Sequence, residues 1–174
     1  MDEFYDKIAA GYDELHWEEQ LAKMVEIVTS LTKDIPHRRE RLLDVGCGSG
    51  ISTSVWNCRC VGVDPSKELI KIATKKYPGK HFVVGAAEAL PFKTGSFDVV
   101  ISVTSIHNFN DVRKGIDEMK RVGKDRFIIT VLKKSKHLDQ IEKLIIMNFR
   151  IQKILVQEKD IIFLCAALKH KIKN

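Results

Sequence analysis

Apolar residues recur along the chain with two different periods, and the changes of period mark out the elements. Across residues 17–31 they fall at Leu21, Met24, Val25, Val28 and Leu31, the 3.6-residue stripe of an amphipathic helix. Pro36 closes that segment, because the residue before a proline avoids the helical region. Short apolar runs follow at residues 42–45, 60–63 and 82–84, each closed by Gly46, by Asp64-Pro65-Ser66 or by Gly85. Residues 97–103 and 126–132 are longer, β-rich runs, and helical patterns cover residues 66–77, 112–122 and 138–148. Strand and helix alternate, which predicts a parallel sheet with helices on both faces. Residues 151–156 and 160–168 are strand-like and separated only by Gln157-Glu158-Lys159. No crossover helix fits there, so an antiparallel hairpin is expected. The predicted fold is α/β: a three-layer αβα sandwich on a seven-stranded, mostly parallel sheet with a C-terminal antiparallel hairpin.

No repeat, low-complexity tract or linker divides the 174 residues, so one domain is expected over 1–174. Its parts are an N-terminal helical lead-in (1–36), a core (41–132) and a C-terminal helix and β-hairpin (133–174). Composition adds exclusions. An apolar share of 44% with 30% charged residues belongs to a globular protein rather than a disordered one. The longest apolar run, residues 161–168, is far short of the ~20 residues that span a bilayer. The acidic start Met1-Asp2-Glu3-Phe4 does not read as a signal peptide. The four cysteines lack the paired spacings of a zinc site, and no metal is expected. They read as small thiols of a reducing compartment, hence a cytoplasmic protein. A disulfide at Cys58 or Cys60 stays open, since hyperthermophile cytosols hold disulfides.

Charge is uneven. The net charge of +6 divides into −3 for residues 1–112 and +9 for residues 113–174. Such a basic half suits either a polyanion partner or an ordinary lysine-rich surface.

The sharpest chemical signal is Asp44-Val45-Gly46-Cys47-Gly48-Ser49-Gly50, at the end of the first predicted strand. Glycines there allow positive φ and let a ligand lie against the backbone. Asp64 ends the second strand, where an acid can accept hydrogen bonds from ribose hydroxyls. The spacing is G-x-G-x-G, not the G-x-G-x-x-G of dinucleotide sites, and no triphosphate loop is present. The pattern suits a nucleoside without a pyrophosphate.

Four motifs in order, LLDVGCGSG, VGVDPS, GAAEALPF and FDVVISVTSIHNF, resemble those of the class I S-adenosylmethionine-dependent methyltransferases. Within that family the type 11, ubiquinone-biosynthesis-like group is the nearest in pattern. The resemblance covers roughly residues 4 to 132. It implies S-adenosylmethionine as cofactor and S-adenosylhomocysteine as product. It places Asp44 at the methionine end and Gly46, Cys47, Gly48 and Gly50 along the ribose and methionine part. Asp64 would hold the ribose hydroxyls, with Pro65 and Ser66 bordering the adenine. Ala86, Ala87 and Glu88 would enclose the adenine edge, although the family's usual acid after the third strand's glycine is replaced by Ala86. Ser102, at the end of the fourth strand, completes the set. Tyr5 and Tyr12 in the lead-in are candidates to cover the cofactor.

Acceptors of this family sit beyond the fourth strand. That edge lacks the Asn/Asp-Pro-Pro-Tyr/Phe run of amide and adenine N-methylating enzymes. His107 is the candidate general base, with Asn108 and Thr104 as further polar candidates. Nothing is inserted after the fifth strand, so an open site is expected. The acceptor is a small molecule or, as the alternative, tRNA or another RNA. Lys133, Lys134, Lys136, Lys169, Lys171 and Lys173 favour the alternative, while the scarcity of aromatic residues near them disfavours single-stranded RNA. SIHNF resembles stretches of both tRNA wobble-uridine and quinone C-methyltransferases. The third strand lies at a sheet edge in the family's order, where a small activating protein docks on some relatives. A cofactor-binding subunit with little activity of its own is the remaining reading.

Overall fold

The structure is a computed structural model that describes residues 18, 20–31 and 35–168. Tyr5, Tyr12, Lys169, Lys171 and Lys173 lie outside the described residues. Residues 20–31 form helix α1. Strand β1 (Arg41–Val45) leads through the glycine loop into the one-turn helix α2 (Ile51–Ser54). Then come β2 (Arg59–Asp64), α3 (Lys67–Lys76), β3 (His81–Val84), β4 (Phe97–Ser102) and α4 (Val112–Val122). The chain ends through β5 (Gly123–Leu132), α5 (Leu138–Asn148), β6 (Phe149–Val156) and β7 (Asp160–Ala167). Single 3₁₀ turns sit at Ala87–Ala89 and Ile106–Asn108.

Among the described residues the seven strands form one sheet in the order β3-β2-β1-β4-β5-β7-β6. Strands β1 to β5 pair in parallel, and β7 is antiparallel to both neighbours. The burial patterns explain why β7, not β6, lies inside the sheet between two neighbours. Its DIIFLCAA is buried along almost its whole length, whereas FRIQKILV alternates and exposes Lys153, Ile154 and Val156. A continuously apolar strand is satisfied only between two neighbours, and a mixed one suits the edge.

Successive residues point to opposite faces of a strand, so each buried strand feeds two cores. Leu42, Val99, Ile101, Ile128, Ile162 and Leu164 pack on one side with Met24 and Ile27 of α1. Leu43, Val100, Phe127, Ile129 and Phe163 pack on the other with Ile116 and Met119 of α4 and Ile141 and Ile145 of α5. Helix starts follow their capping residues. Ser66 Oγ accepts from Leu69 N at 3.2 Å at the head of α3, and Asp111 Oδ1 accepts from Lys114 N at 3.0 Å at the head of α4.

The strand expected over 126–132 begins three residues earlier, at Gly123, because α4 passes into β5 without a loop. A Cβ at Gly123 would stand 2.6 Å from the Phe127 ring, so the junction needs glycine. No helix among the described residues is long and apolar enough to cross a membrane.

Candidate functional site

The strand order runs outward in opposite directions from β1 and β4. The crevice at the carboxyl ends of such a pair is where open α/β sheets take ligands. A cleft lies there, with about 790 Å³ of empty space counting its open mouth. Gly46, Cys47, Gly48, Asp64 and Pro65 line one side, and Val103, Thr104, Ser105, Asn108 and Phe109 another.

The glycine loop is fastened from behind. Gly46 N and Cys47 N both donate to Val63 O, at 2.8 and 3.1 Å. Gly46 has φ +75°, and a Cβ on it would sit 2.4 Å from Ser105 Cβ. Only glycine permits both the dihedral and the approach. At Gly48, φ is +53° and a Cβ would meet nothing within 4 Å. The loop therefore presents bare backbone to open space at the cleft wall. Asp64 fixes the loop from the second strand: Oδ2 accepts from Gly48 N at 2.9 Å and Oδ1 from Ser66 N at 3.0 Å.

Asp44 lies beneath the loop with no exposure. Its Oδ2 accepts from Ser52 Oγ at 2.6 Å and Thr53 Oγ1 at 2.7 Å, both on α2. Its Oδ1 is buried with no hydrogen-bond partner among the described residues. Burial pushes the carboxyl up to about 6, against the pull of the two hydroxyls and with a smaller push from Asp64. A buried acceptor left unpaired is costly, and its presence beside a backbone cradle fits a ligand bearing a positive charge.

Across the cleft, Ser102 is fully buried and shares a 2.7 Å hydrogen bond with Ser105 Oγ, which itself donates to Val45 O at 2.8 Å. This couples the ends of β1 and β4. Thr104 has φ +54°, an uncommon and strained state for a β-branched residue. It is held by three contacts. Lys23 Nζ donates to Thr104 Oγ1 at 2.5 Å, Thr104 N donates to Thr130 Oγ1 at 2.5 Å, and the two threonine hydroxyls lie 3.3 Å apart. Lys23 is itself paired with Asp160 at 2.7 Å, with side-chain exposures of 3% and 2%. Asp160 Oδ1 has no hydrogen-bond partner among the described residues.

Of the residues singled out in the sequence, the structure brings Gly46, Cys47, Gly48, Asp64, Pro65, Thr104 and Asn108 to the cleft wall. Asp44, Gly50, Ser66 and Ser102 stand just behind it as buried supports. Ala86, Ala87 and Glu88 are not among the lining residues. Glu88 instead accepts from Asp111 N at 3.1 Å at the head of α4. His107 is half-buried in the turn Ile106–Asn108 and does not line the cleft, although its neighbours Ser105 and Asn108 do. Its Nδ1 is buried with no hydrogen-bond partner among the described residues. Desolvation holds the imidazole below its ordinary 6.5; Asp160 opposes this, and Lys23 and Lys134 reinforce it. The pattern of the chain did not single out Lys23, Asp160, Gln20 or Ser105. A lysine within an amphipathic stripe and an aspartate beside a hairpin turn read as surface residues, and only long-range packing pairs them.

Residues 43–129 match the family model described as a methyltransferase domain. The chain belongs to that family. An uncharacterised protein of Methanocaldococcus jannaschii is 40% identical over 133 residues, which cover 74% of this chain and 50% of that protein. The demethylmenaquinone methyltransferase of Chlorobaculum tepidum is 33% identical over 133 residues, covering 68% of this chain and 52% of its own length. The methyltransferase domain here thus spans about half the length of these relatives. In fold it is similar to the magnesium protoporphyrin IX methyltransferase of Synechocystis PCC 6803, solved with bound SAM. The TM-score is 0.71 at 17% identity, over 84% of this chain and 79% of that one.

Proposed function

We propose that this domain transfers the methyl group of S-adenosylmethionine to a small, largely apolar acceptor held at the β4 side of the cleft. The observation that carries the reading is the buried, unpaired Oδ1 of Asp44 beneath a backbone-only cradle. A cationic amino-acid end next to that carboxylate would satisfy both. The cofactor supplies an electrophilic methyl group on a positively charged sulfur. The chain supplies position and exclusion of water, which carry much of the acceleration in an in-line displacement. Asp64, locked by Gly48 and Ser66, faces the ribose position. Val103 and Phe109 form the apolar wall, and Thr104 and Asn108 its polar points.

His107 is the proposed base. Its depressed proton affinity leaves it neutral near pH 7, ready to take a proton from an oxygen, carbon or nitrogen acceptor. The likeness to a demethylmenaquinone methyltransferase supports a small molecule of the quinol type over RNA. Arg121 is engaged with Glu118 and the Phe92 and Leu90 carbonyls, and Lys124 with Asp98. Arg121 ends α4 and Lys124 begins β5, at the end of the sheet away from the cleft, so these two add nothing to a track beside it; Lys133, Lys134 and Lys136 follow β5 at the cleft end.

The test is methyl transfer from labelled S-adenosylmethionine, with reduced demethylquinones, a small-metabolite extract, bulk tRNA and bulk protein offered side by side. Label in the quinol or metabolite fraction is expected. Label in tRNA would overturn the acceptor class. His107→Ala is expected to cut turnover about 100-fold or more while leaving S-adenosylhomocysteine affinity intact; unchanged turnover would remove His107 from the chemistry.

A further inference from the structure

At the opposite end of β2 from Asp64, two cysteines face each other in a site that the cleft does not use. Cys58 precedes β2 and is half-buried; Cys60 lies within it and is 3% exposed. Their sulfurs are 3.5 Å apart. Lys80, at the entry to β3, places Nζ 3.5 Å from Cys60 Sγ and also donates to the Trp56 carbonyl. Cys60 is four residues from Asp64, about 13 Å along an extended strand, so this cluster is separate from the cofactor cradle.

We propose that Cys58 and Cys60 form a reversible redox pair, oxidised to an intrachain disulfide by a small hydroperoxide. The geometry carries the inference: two thiols in contact, an ammonium group against one of them, and a half-exposed partner giving access from solvent. Reactive cysteines occupy such electropositive sites beside a resolving thiol. The hydrogen bond from Cys58 and the charge of Lys80 draw the Cys60 thiol down, while the same hydrogen bond holds the Cys58 thiol up. Lys80, whose Nζ stands 3.5 Å from Cys60 Sγ, makes Cys60 the nucleophile and leaves the half-buried Cys58 as the resolving group. Cys47 and Cys165 are buried without such a neighbour, and burial pushes both thiols up, so oxidation is selective.

The steps balance. The Cys60 thiolate attacks the distal peroxide oxygen; an S–O bond forms, the O–O bond breaks, and the alcohol or water leaves with a proton from solvent. Cys60 is now a sulfenic acid. Cys58 loses its proton and attacks the Cys60 sulfur; the S–S bond forms, the S–O bond breaks, and hydroxide departs as water with that proton. Two thiols lose two electrons in all, and one peroxide gains them. The sulfurs need to close from 3.5 Å to about 2.05 Å, a shift that the turn before β2 can absorb.

The experiment treats the full chain with hydrogen peroxide, blocks remaining thiols with iodoacetamide, and reads intact mass and peptide linkage. Two of the four thiols are expected to become protected, with a loss of about 2 Da before alkylation that dithiothreitol reverses. The link should map to Cys58–Cys60. Cys58→Ser should stop at a sulfenic acid on Cys60 that dimedone traps. Lys80→Met should slow oxidation and move its pH midpoint upward, a readout that a merely structural lysine would not change. The proposal is overturned if Cys60→Ser oxidises as fast as the wild type. It is also overturned if thiol loss spreads evenly over Cys47 and Cys165, or if no reversible pair of thiols is lost. Melting curves of the variants, each a small change, confirm that they are folded.

Discussion

Asp44 is the residue whose titration bears most directly on the site. Burial raises its folded-state value from 3.8 to about 6. Between those values the folded protein holds more protons than the unfolded chain, so this carboxyl lowers stability as pH rises through that window. Asp44→Asn should flatten the fall in melting temperature between pH 4 and about 6, and should weaken S-adenosylhomocysteine binding at pH 7. A variant with unchanged affinity would remove Asp44 from the methionine end. His107 runs the other way in use. Its value lies below 6.5, so the acid limb of the turnover profile should fall below pH 6.5 and vanish in His107→Ala. The charged groups acting on it are Asp160, Lys23 and Lys134. Gly46→Ala should be destabilising because its Cβ would stand 2.4 Å from Ser105 Cβ at φ +75°, and thermal melts would register the loss.

At the scale of elements, α1 is clamped to the sheet by one buried ion pair. Lys23 reaches Asp160 at the start of β7 and Thr104 after β4. Removing one partner leaves an uncompensated buried charge, which costs about 3–5 kcal/mol. Lys23→Met and Asp160→Leu are each expected to lose that much in denaturant titrations, and the double variant less than either alone. A double variant that loses the sum of the two single losses would show that the two charges do not act on each other. Most elements were legible in the chain because their signals are local. Residues 112–122 and 138–148 show the helical period along their full lengths, and Ser66 marks a helix start by its capping chemistry. The loop Gly46 to Gly50 announced itself by glycine spacing. The four-residue α2 was not legible, since one turn shows no period. The place of β7 between β5 and β6, the left-handed Thr104 and the Lys23–Asp160 pair were not legible either. Each depends on contacts between residues far apart in the chain.

At the scale of the whole molecule, the sheet order sets the chemistry. Strands β2 and β3 lie outward of β1 on one side and β5, β7 and β6 outward of β4 on the other, so the loops after β1 and β4 meet across a single cleft. Among the described residues, Arg121 and Lys124 are engaged at the end of the sheet away from the cleft, whereas Lys133, Lys134 and Lys136 follow β5 at the cleft end. Methyl transfer to a small acceptor should change little from about 50 to about 200 mM salt, whereas RNA binding through several phosphates would weaken by orders of magnitude. Steady-state rates at the two salt concentrations check this. The central claim is that the switch-point cleft is a cradle for S-adenosylmethionine, and titration calorimetry with S-adenosylhomocysteine tests it on the wild type and Gly48→Asn. Asparagine tolerates the left-handed backbone of that position, and a Cβ there meets nothing within 4 Å, so the fold is expected to stand while the cradle is filled. Saturable one-site binding by the wild type and its loss in a folded Gly48→Asn are the expected results. Absence of heat at millimolar ligand, or equal affinity in both proteins, would contradict the account.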